Sequence, residues 1–434
     1  MNQISPFLSL ALMFICAVSF AQMDASKMIE KAADDIEAKV IEYRHHFHKY
    51  PELSNRELKT SDKIVEILKS IGYQPDQGMA HTGVVAVLDS GKPGPTIGLR
   101  ADIDGLPVKE RNSLPYKSAE TSTYLGNDVG VMHACGHDTH VSMLLGVSHV
   151  LMDMKDKLIG KVVFVFQPAE EGAPKGEEGG ASLMVKEGLI TKYGIDVMFG
   201  QHISSREEVG KISYKFGGMM AAADRFEIKV KGVQAHGSRP WSGVDPIVTS
   251  AQIIMGLQTI VSRQTDLTKE AAVITVGKID GGVRNNIIPE ECTMIGTIRT
   301  LDVEMQKIIH ERIRQTATNI AAAQGATVEV IIDKNTPITF NNLELTRKMI
   351  PSLLNAAGED NVKVIPAITG AEDFSYFGEV IPALYYFVGG KDPNDNGSHP
   401  HHSPDFIVQD AGMKTGVKAL LHLTLDYMEQ SKMK

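Results

Sequence analysis

Apolar and polar positions first follow a helical period. Between Ala25 and Tyr50, charged residues are interleaved with Ile29, Ile36, Val40 and Ile41, which predicts an amphipathic helix closed by Pro51. A second helix begins near Asn55, with Ile64, Leu68 and Ile71 on one face and Gly72 at its stop. The pattern then alternates between types. TGVVAVLD (82–89) and TIGLRAD (96–102) read as strands, followed by a helix over about 139–154, the strand KVVFVFQ (161–167), a helix over about 180–188 and the strand DVMFGQH (196–202). Strands alternating with helices predict an α/β fold with a mixed, largely parallel sheet flanked by helices.

Past Gly217-Gly218 the character changes to strand, helix (about 245–263), strand (271–280), strand (291–300), helix (about 303–324) and strand (326–332). This is a compact α+β unit with its own apolar faces, expected as an insertion over 217–333. The α/β pattern resumes with a helix over 343–357, the strand ALYYFVG (383–389) and a final helix from about Gln409. The expected α/β domain is therefore in two parts, 22–216 and 334–434.

The first 22 residues carry no charged side chain and hold an apolar run from Phe7 to Phe20. That run is short for a membrane span and ends in Ser19-Phe20-Ala21, small residues where a signal peptidase reads. Residues 1–21 are expected to be a cleaved signal, with an uncleaved anchor as the alternative, making the protein exported, periplasmic or extracellular. No later segment suits a membrane helix. Without the signal, Cys135 and Cys292 are left of three cysteines, which excludes a disulfide scaffold. Cys292 sits in an apolar strand-like run and is expected to be inert. The 434 residues are 43% hydrophobic and 22% charged, with a formal charge of −9. Dispersed acidic residues speak against a nucleic-acid partner, whose binding needs clustered Lys and Arg.

Candidate chemistry centres on MHACGHD (132–138). Thiolate and imidazole suit a borderline-soft divalent metal, and Gly136 lets the backbone turn so that Cys135 and His137 can point at one centre. Asp102 and Asp104 follow one strand, Glu170 and Glu171 another, and His202 a third. All lie where open α/β sheets bind ligands, beyond the carboxyl ends of strands. For Asp102 and Asp104, orientation of a ligand and plain helix capping are both open readings. His45, His46 and His48 are expected to be solvated or capping residues.

The ordered set HKYPELSNRE, LRADIDGLP, MHACGHDTH, FQPAEEG, GQH, QAHGSRP, NNIIPE, GTIRT, GAEDFSYF and HHSPDF resembles the two-metal amidohydrolase and exopeptidase family. The nearer likeness is to its hippurate hydrolases, N-acyl-amino-acid amidohydrolases and auxin-conjugate hydrolases. The resemblance implies two divalent metal ions per subunit, zinc or else manganese, cobalt or nickel, held by Cys135, His137, Glu171, His202 and His402. His399 and His401 compete with His402, which is selected by its adjacency to Ser403-Pro404. Glu170 is implied as general base for hydrolysis of an N-acyl amino acid or short peptide. The insertion is implied to be a lid that also forms a homodimer, with His236 and Asn286 holding the reacting carbonyl oxygen; Arg299 matches a motif residue of less certain role. Three rival readings are a dipeptidase or carboxypeptidase with the same metal chemistry, a binding protein without turnover, and a redox role for Cys135.

Overall fold

The computed structural model describes residues 6–397 and 399–432, with side chains from Ala25 onward. The expected signal segment, 1–21, falls outside the described side chains. Backbone helix runs through Pro6–Lys49, and no described helix is long and apolar enough to cross a membrane.

Chain contacts separate two units: 1–214 with 341–365 and 380–434, and 215–340 with 366–379. The second unit begins and ends close to the insertion read from the sequence but also takes in 366–379, which had been assigned to the last part of the first. The cause is main-chain pairing: Ala221 N–H donates to Ile368 O and Gly370 O, and Ile368 N–H to Met219 O.

The first unit is built on an eight-stranded mixed sheet. Its order is Asp76–Met79, Gly83–Asp89, Lys161–Gln167, Thr96–Asp102, Val197–Glu208, Ala383–Lys391, Ile212–Tyr214 and Val362–Val364. Lys161–Gln167, Thr96–Asp102, Val197–Glu208 and Ala383–Lys391 form its parallel centre. Their near-continuous apolar runs reflect burial on both faces. Pro6–Lys49 packs on His137–Asp153 and on Gly412–Ser431. Within Pro6–Lys49 the inward stripe holds Ile29, Ala33, Val40 and Phe47, and with them Arg44 and His48. His48 is thus buried rather than solvated, because it follows Arg44 by one turn on the face turned to the interior.

One strand differs from its expected length in a way that matters for the site. Val197–Glu208 does not stop at His202; pairing with Thr96–Asp102 ends at the Arg100–Gly200 rung, while pairing with Ala383–Lys391 continues past the His202–Phe387 rung. His202 is therefore held by a strand on one side only. The exposed hairpin Thr121–Tyr124/Asn127–Gly130 and the short strands Ile212–Tyr214 and Val362–Val364 lacked enough periodicity to be read from the sequence.

The second unit carries a four-stranded antiparallel sheet ordered Ala272–Gly281, Glu291–Thr300, Ala222–Lys231 and Thr327–Thr336. Period-two alternation buries Phe226, Ile228 and Val230 against Ile253, Leu257 and Ile260 of helix Pro246–Gln264 and Ile309 and Ile313 of helix Val303–Ala323. Cys292 is buried in this sheet.

Gly136 supplies the turn into helix His137–Asp153. Its φ is +93°, and a Cβ there would stand 2.4 Å from Ile203 Cγ2. Gly136→Ala should cost at least the ~1–2 kcal/mol of a left-handed L-residue, with the clash added. It should lower the urea midpoint, whereas a midpoint equal to wild type would mean the turn is not constrained.

Candidate metal centre

Several stretches of the first unit meet at the carboxyl ends of its central strands, and hydrogen bonds dictate which atom each side chain offers. His137 is the first residue of its helix. Its Nδ1–H donates to Asp104 O at 2.9 Å, with Asp104 Oδ1 at 3.1 Å, so Nε2 faces the site; that atom is buried and has no hydrogen-bond partner. His202 donates through Nδ1 to Ile203 O at 2.6 Å, which also leaves Nε2 facing inward. Burial, helped by nearby His140 and His401, pushes the His202 pKa well below the ordinary histidine value, so the ring is neutral and Nε2 carries a lone pair.

Asp104 also organises the Glu pair. Its Oδ2 accepts from Glu171 N–H at 3.0 Å and from Ser54 Oγ at 2.7 Å, so one carboxylate fixes both His137 and the Glu171 backbone. The turn into the pair is strained. Ala169 has φ +51°, and its N–H donates to Glu57 Oε1 at 2.9 Å, while Thr82 Oγ1 donates to Glu57 Oε2 at 2.6 Å. Burial, with Asp104 nearby, raises the Glu57 pKa to about 8.

The donors converge. Cys135 Sγ lies 3.3 Å from His202 Nε2 and 3.3 Å from His402 Nε2; His402 Nε2 is 3.2 Å from Glu171 Oε1, and His137 Nε2 is 3.9 Å from Glu171 Oε1. His402 itself has φ +61°, and its N–H donates to Ala134 O at 2.8 Å, tying its loop to the Cys135 segment. Glu170 Oε2 stands 3.8 Å from His137 Nε2. A thiol, three imidazoles and a carboxylate that face one another through their lone pairs fit a divalent cation at their centre.

Two other histidines approach the cluster, and their partners decide their roles. Ile203 N–H donates to His140 Nε2 at 2.8 Å, so the ring proton is on Nδ1 and goes to Asp102 Oδ1 at 2.5 Å. His140 therefore has no lone pair left for a metal, although its atoms cluster with Asp102 and His137. Asp102 is fixed in turn by Arg100 Nη1 at 2.8 Å. His399 is occupied locally, by Asp395 Oδ2 at 2.8 Å and Asp405 O at 2.9 Å. Neither Asp102 nor Asp104 caps a helix; both hold histidines.

Beneath the site lies a charge network that the sequence reading missed. Asp138 Oδ2 accepts from Arg44 Nε at 3.1 Å and pairs with His48 Nδ1 at 3.0 Å; His48 Nε2 meets Glu110 Oε1 at 3.0 Å. Arg44 Nη1 reaches Asp410 Oδ1 at 2.5 Å, and His45 Nε2 the other oxygen at 2.9 Å. The spacing of Arg44 and His48, continuing the apolar stripe, was the available signal. In the second unit, His236 and Asn286 are brought together beside the two-stranded antiparallel ladder Ala235–His236/Ile287–Ile288, where Gly237 N–H donates to Asn286 O; His236 is exposed, and its Nδ1 accepts from Ser238 N–H at 3.0 Å. Arg299 is paired in the strand register with Ala223 and Val273.

Fold and donor set together define a metal-dependent hydrolase. Residues 98–426 match peptidase family M20/M25/M40, and the chain belongs to that family. It is 38% identical over 405 residues to thermostable carboxypeptidase 1 of Saccharolobus solfataricus, covering 93% of this chain and 98% of that one. Against N-acetyl-L-cysteine deacetylase of Bacillus subtilis the identity is 37% over 405 residues, with 92% and 91% covered. A crystal structure of a dinuclear metal-binding M20 peptidase from Bacillus subtilis superimposes with a TM-score of 0.76 at 31% identity, covering 91% of this chain and 99% of that one.

Loading the centre must displace protons. Burial opposes charge on His137, but Asp102, Asp104 and Glu171 outweigh it and raise its pKa to about 10; burial together with Glu171 and Glu170 pushes the Cys135 thiol well above its usual range. Both groups hold protons at neutral pH and must lose them to bind metal, so affinity should rise as the pH is raised above neutral. Calorimetric metal titration in buffers of different ionisation enthalpy should show net proton release. A heat independent of buffer would contradict it.

Proposed function

We propose that this protein is an exported amidohydrolase that cleaves N-acyl amino acids. The observation that carries the reading is the placement of Glu170 beside a converged donor set: four of its members, Cys135, His137, His202 and His402, offer soft or borderline ligands, and Glu171 adds a negative charge. These five residues would hold two divalent ions, zinc by ligand preference, with manganese, cobalt or nickel as alternatives. Such ions, when bound, polarise the amide carbonyl and make water more acidic.

The chain's own part is proton transfer and orientation. Glu170 follows the strained Ala169 turn, and its carboxylate is the group assigned to take a proton from the attacking water. The same carboxyl then returns that proton to the leaving amine. Asp104 fixes His137 and the Glu171 backbone together, so the ligand and the base are placed by one buried group. The role of His236 and Asn286 in holding the carbonyl oxygen rests on the family resemblance.

A carboxypeptidase reading uses the same residues, and the relative named as a carboxypeptidase favours keeping it. Rates on N-acyl amino acids against unblocked dipeptides separate the two. Exposed Ile247, Val248 and Met255 on helix Pro246–Gln264, next to the sheet edge Ala272–Gly281, support pairing of two copies through the second unit.

The Glu pair tests the mechanism. Glu170→Gln keeps the shape but cannot accept a proton, so metal should remain while turnover falls on the order of 10²- to 10⁴-fold. Glu171→Gln should lose metal first. If Glu171→Gln retained its metal and Glu170→Gln did not, the two roles would have to be exchanged.

A further inference from the structure

His401 precedes the candidate ligand His402 and touches the centre in a different way. Its Nε2 lies 3.2 Å from the backbone nitrogen of Ser205, and its Nδ1 lies 3.7 Å from Cys135 Sγ. A backbone N–H can only donate, so Nε2 must present a lone pair to it. A neutral imidazole then carries its single proton on Nδ1, on the side of Cys135, whose Sγ lies 3.7 Å away and whose backbone also bonds the ring. The ring is held in this orientation by its neighbours: its centroid is 4.7 Å from that of Phe406 and 5.3 Å from that of His202.

We propose that His401 is a positioning residue that donates an N–H···S hydrogen bond to the Cys135 thiolate, fixing the direction of the sulfur and drawing off part of its charge. This rests on the reading of Cys135 as a metal ligand. The competing role for His401 is as a ligand itself, since its Nδ1 clusters with Cys135 Sγ and a His202 ring nitrogen. Coordination through Nδ1 while Nε2 accepts from Ser205 would require an imidazolate, stripped of both ring protons. Nothing among the described residues around His401 supplies the second cation that such an anion needs. His402 differs: its Nε2 faces both Cys135 Sγ and Glu171 Oε1.

The physical effect follows from charge sharing. A buried thiolate is costly unless donors surround it, and a hydrogen bond to sulfur lowers the energy of its lone pairs. Removing the donor leaves a more electron-rich sulfur, so excitation of its electrons toward a bound metal should need less energy. It also leaves the sulfur free to swing.

The test uses the full chain loaded with cobalt(II), whose sulfur-to-metal charge-transfer absorption reports on the thiolate directly. His401→Phe should keep its cobalt, shift that band to longer wavelength and weaken cobalt affinity on the order of tenfold. His401→Asn, whose amide N–H can occupy the Nδ1 position, should bring the band back toward wild type. This recovery is one that a space-filling role would not produce, and it also serves if His401→Phe fails to fold. An unshifted band in cobalt-loaded His401→Phe would overturn the proposal. So would loss of cobalt from the His401 variants with retention in His402→Phe, which would make His401 the ligand. Failure of the underlying reading looks different: wild type would lack the band, or Cys135→Ser would retain it.

Discussion

Lone pairs that face lone pairs repel, and the first unit holds several of them together, most of them on buried side chains. Cys135 Sγ stands 3.3 Å from both His202 Nε2 and His402 Nε2, with Glu171 Oε1 3.2 Å from His402 Nε2. Such an arrangement is stable only with a cation or protons between the donors. Much of the surrounding structure exists to keep these atoms from turning toward easier partners. Asp104 holds His137 by one nitrogen, Ile203 O holds His202 by one, and each is thereby left with the other nitrogen directed inward.

The same accounting of single protons separates the proposed ligands from their proposed supporters. His140 and His401 also lie close to the donor set, but each accepts a backbone N–H, from Ile203 and Ser205 respectively. Both of those amides belong to strand Val197–Glu208, which also carries His202. The stretch of that strand beyond its pairing with Thr96–Asp102 thus supplies one ligand and two fixed donors. Strain is placed beside it: Ala169 and His402, neither a glycine, both have positive φ, while Gly136 takes its positive φ without penalty.

Most of this layout was legible in the sequence, because periodicity fixes strands and the polar clusters fall after them. TIGLRAD, KVVFVFQ and GQH led directly to Asp102, the Glu170–Glu171 pair and His202. Adjacency to Ser403-Pro404 picked out His402; in the structure His402 Nε2 faces Cys135 Sγ and Glu171 Oε1, while His401 Nε2 faces the Ser205 amide. What could not be read was pairing between distant segments. His48 on an amphipathic helix looks solvated until Asp138 and Glu110 arrive from elsewhere in the chain. Ser54 and Glu57 sit in a motif with no periodic signal, yet they secure Asp104 and the Ala169 turn. The move of 366–379 into the second unit depends on main-chain hydrogen bonds, to which side-chain patterns are blind.

The central claim is a division of labour among histidines: His137, His202 and His402 bind metal with Cys135 and Glu171, while His140 and His401 do not. Anomalous diffraction from metal-loaded crystals, collected on both sides of the metal's absorption edge, addresses it most directly. The expected result is two peaks, with ring nitrogens of His137, His202 and His402 at about 2.0–2.1 Å and Cys135 Sγ at about 2.3 Å if the metal is zinc. A peak coordinated by His140 Nε2 or by His401 Nδ1 would contradict the assignment of protons on which the whole centre is built.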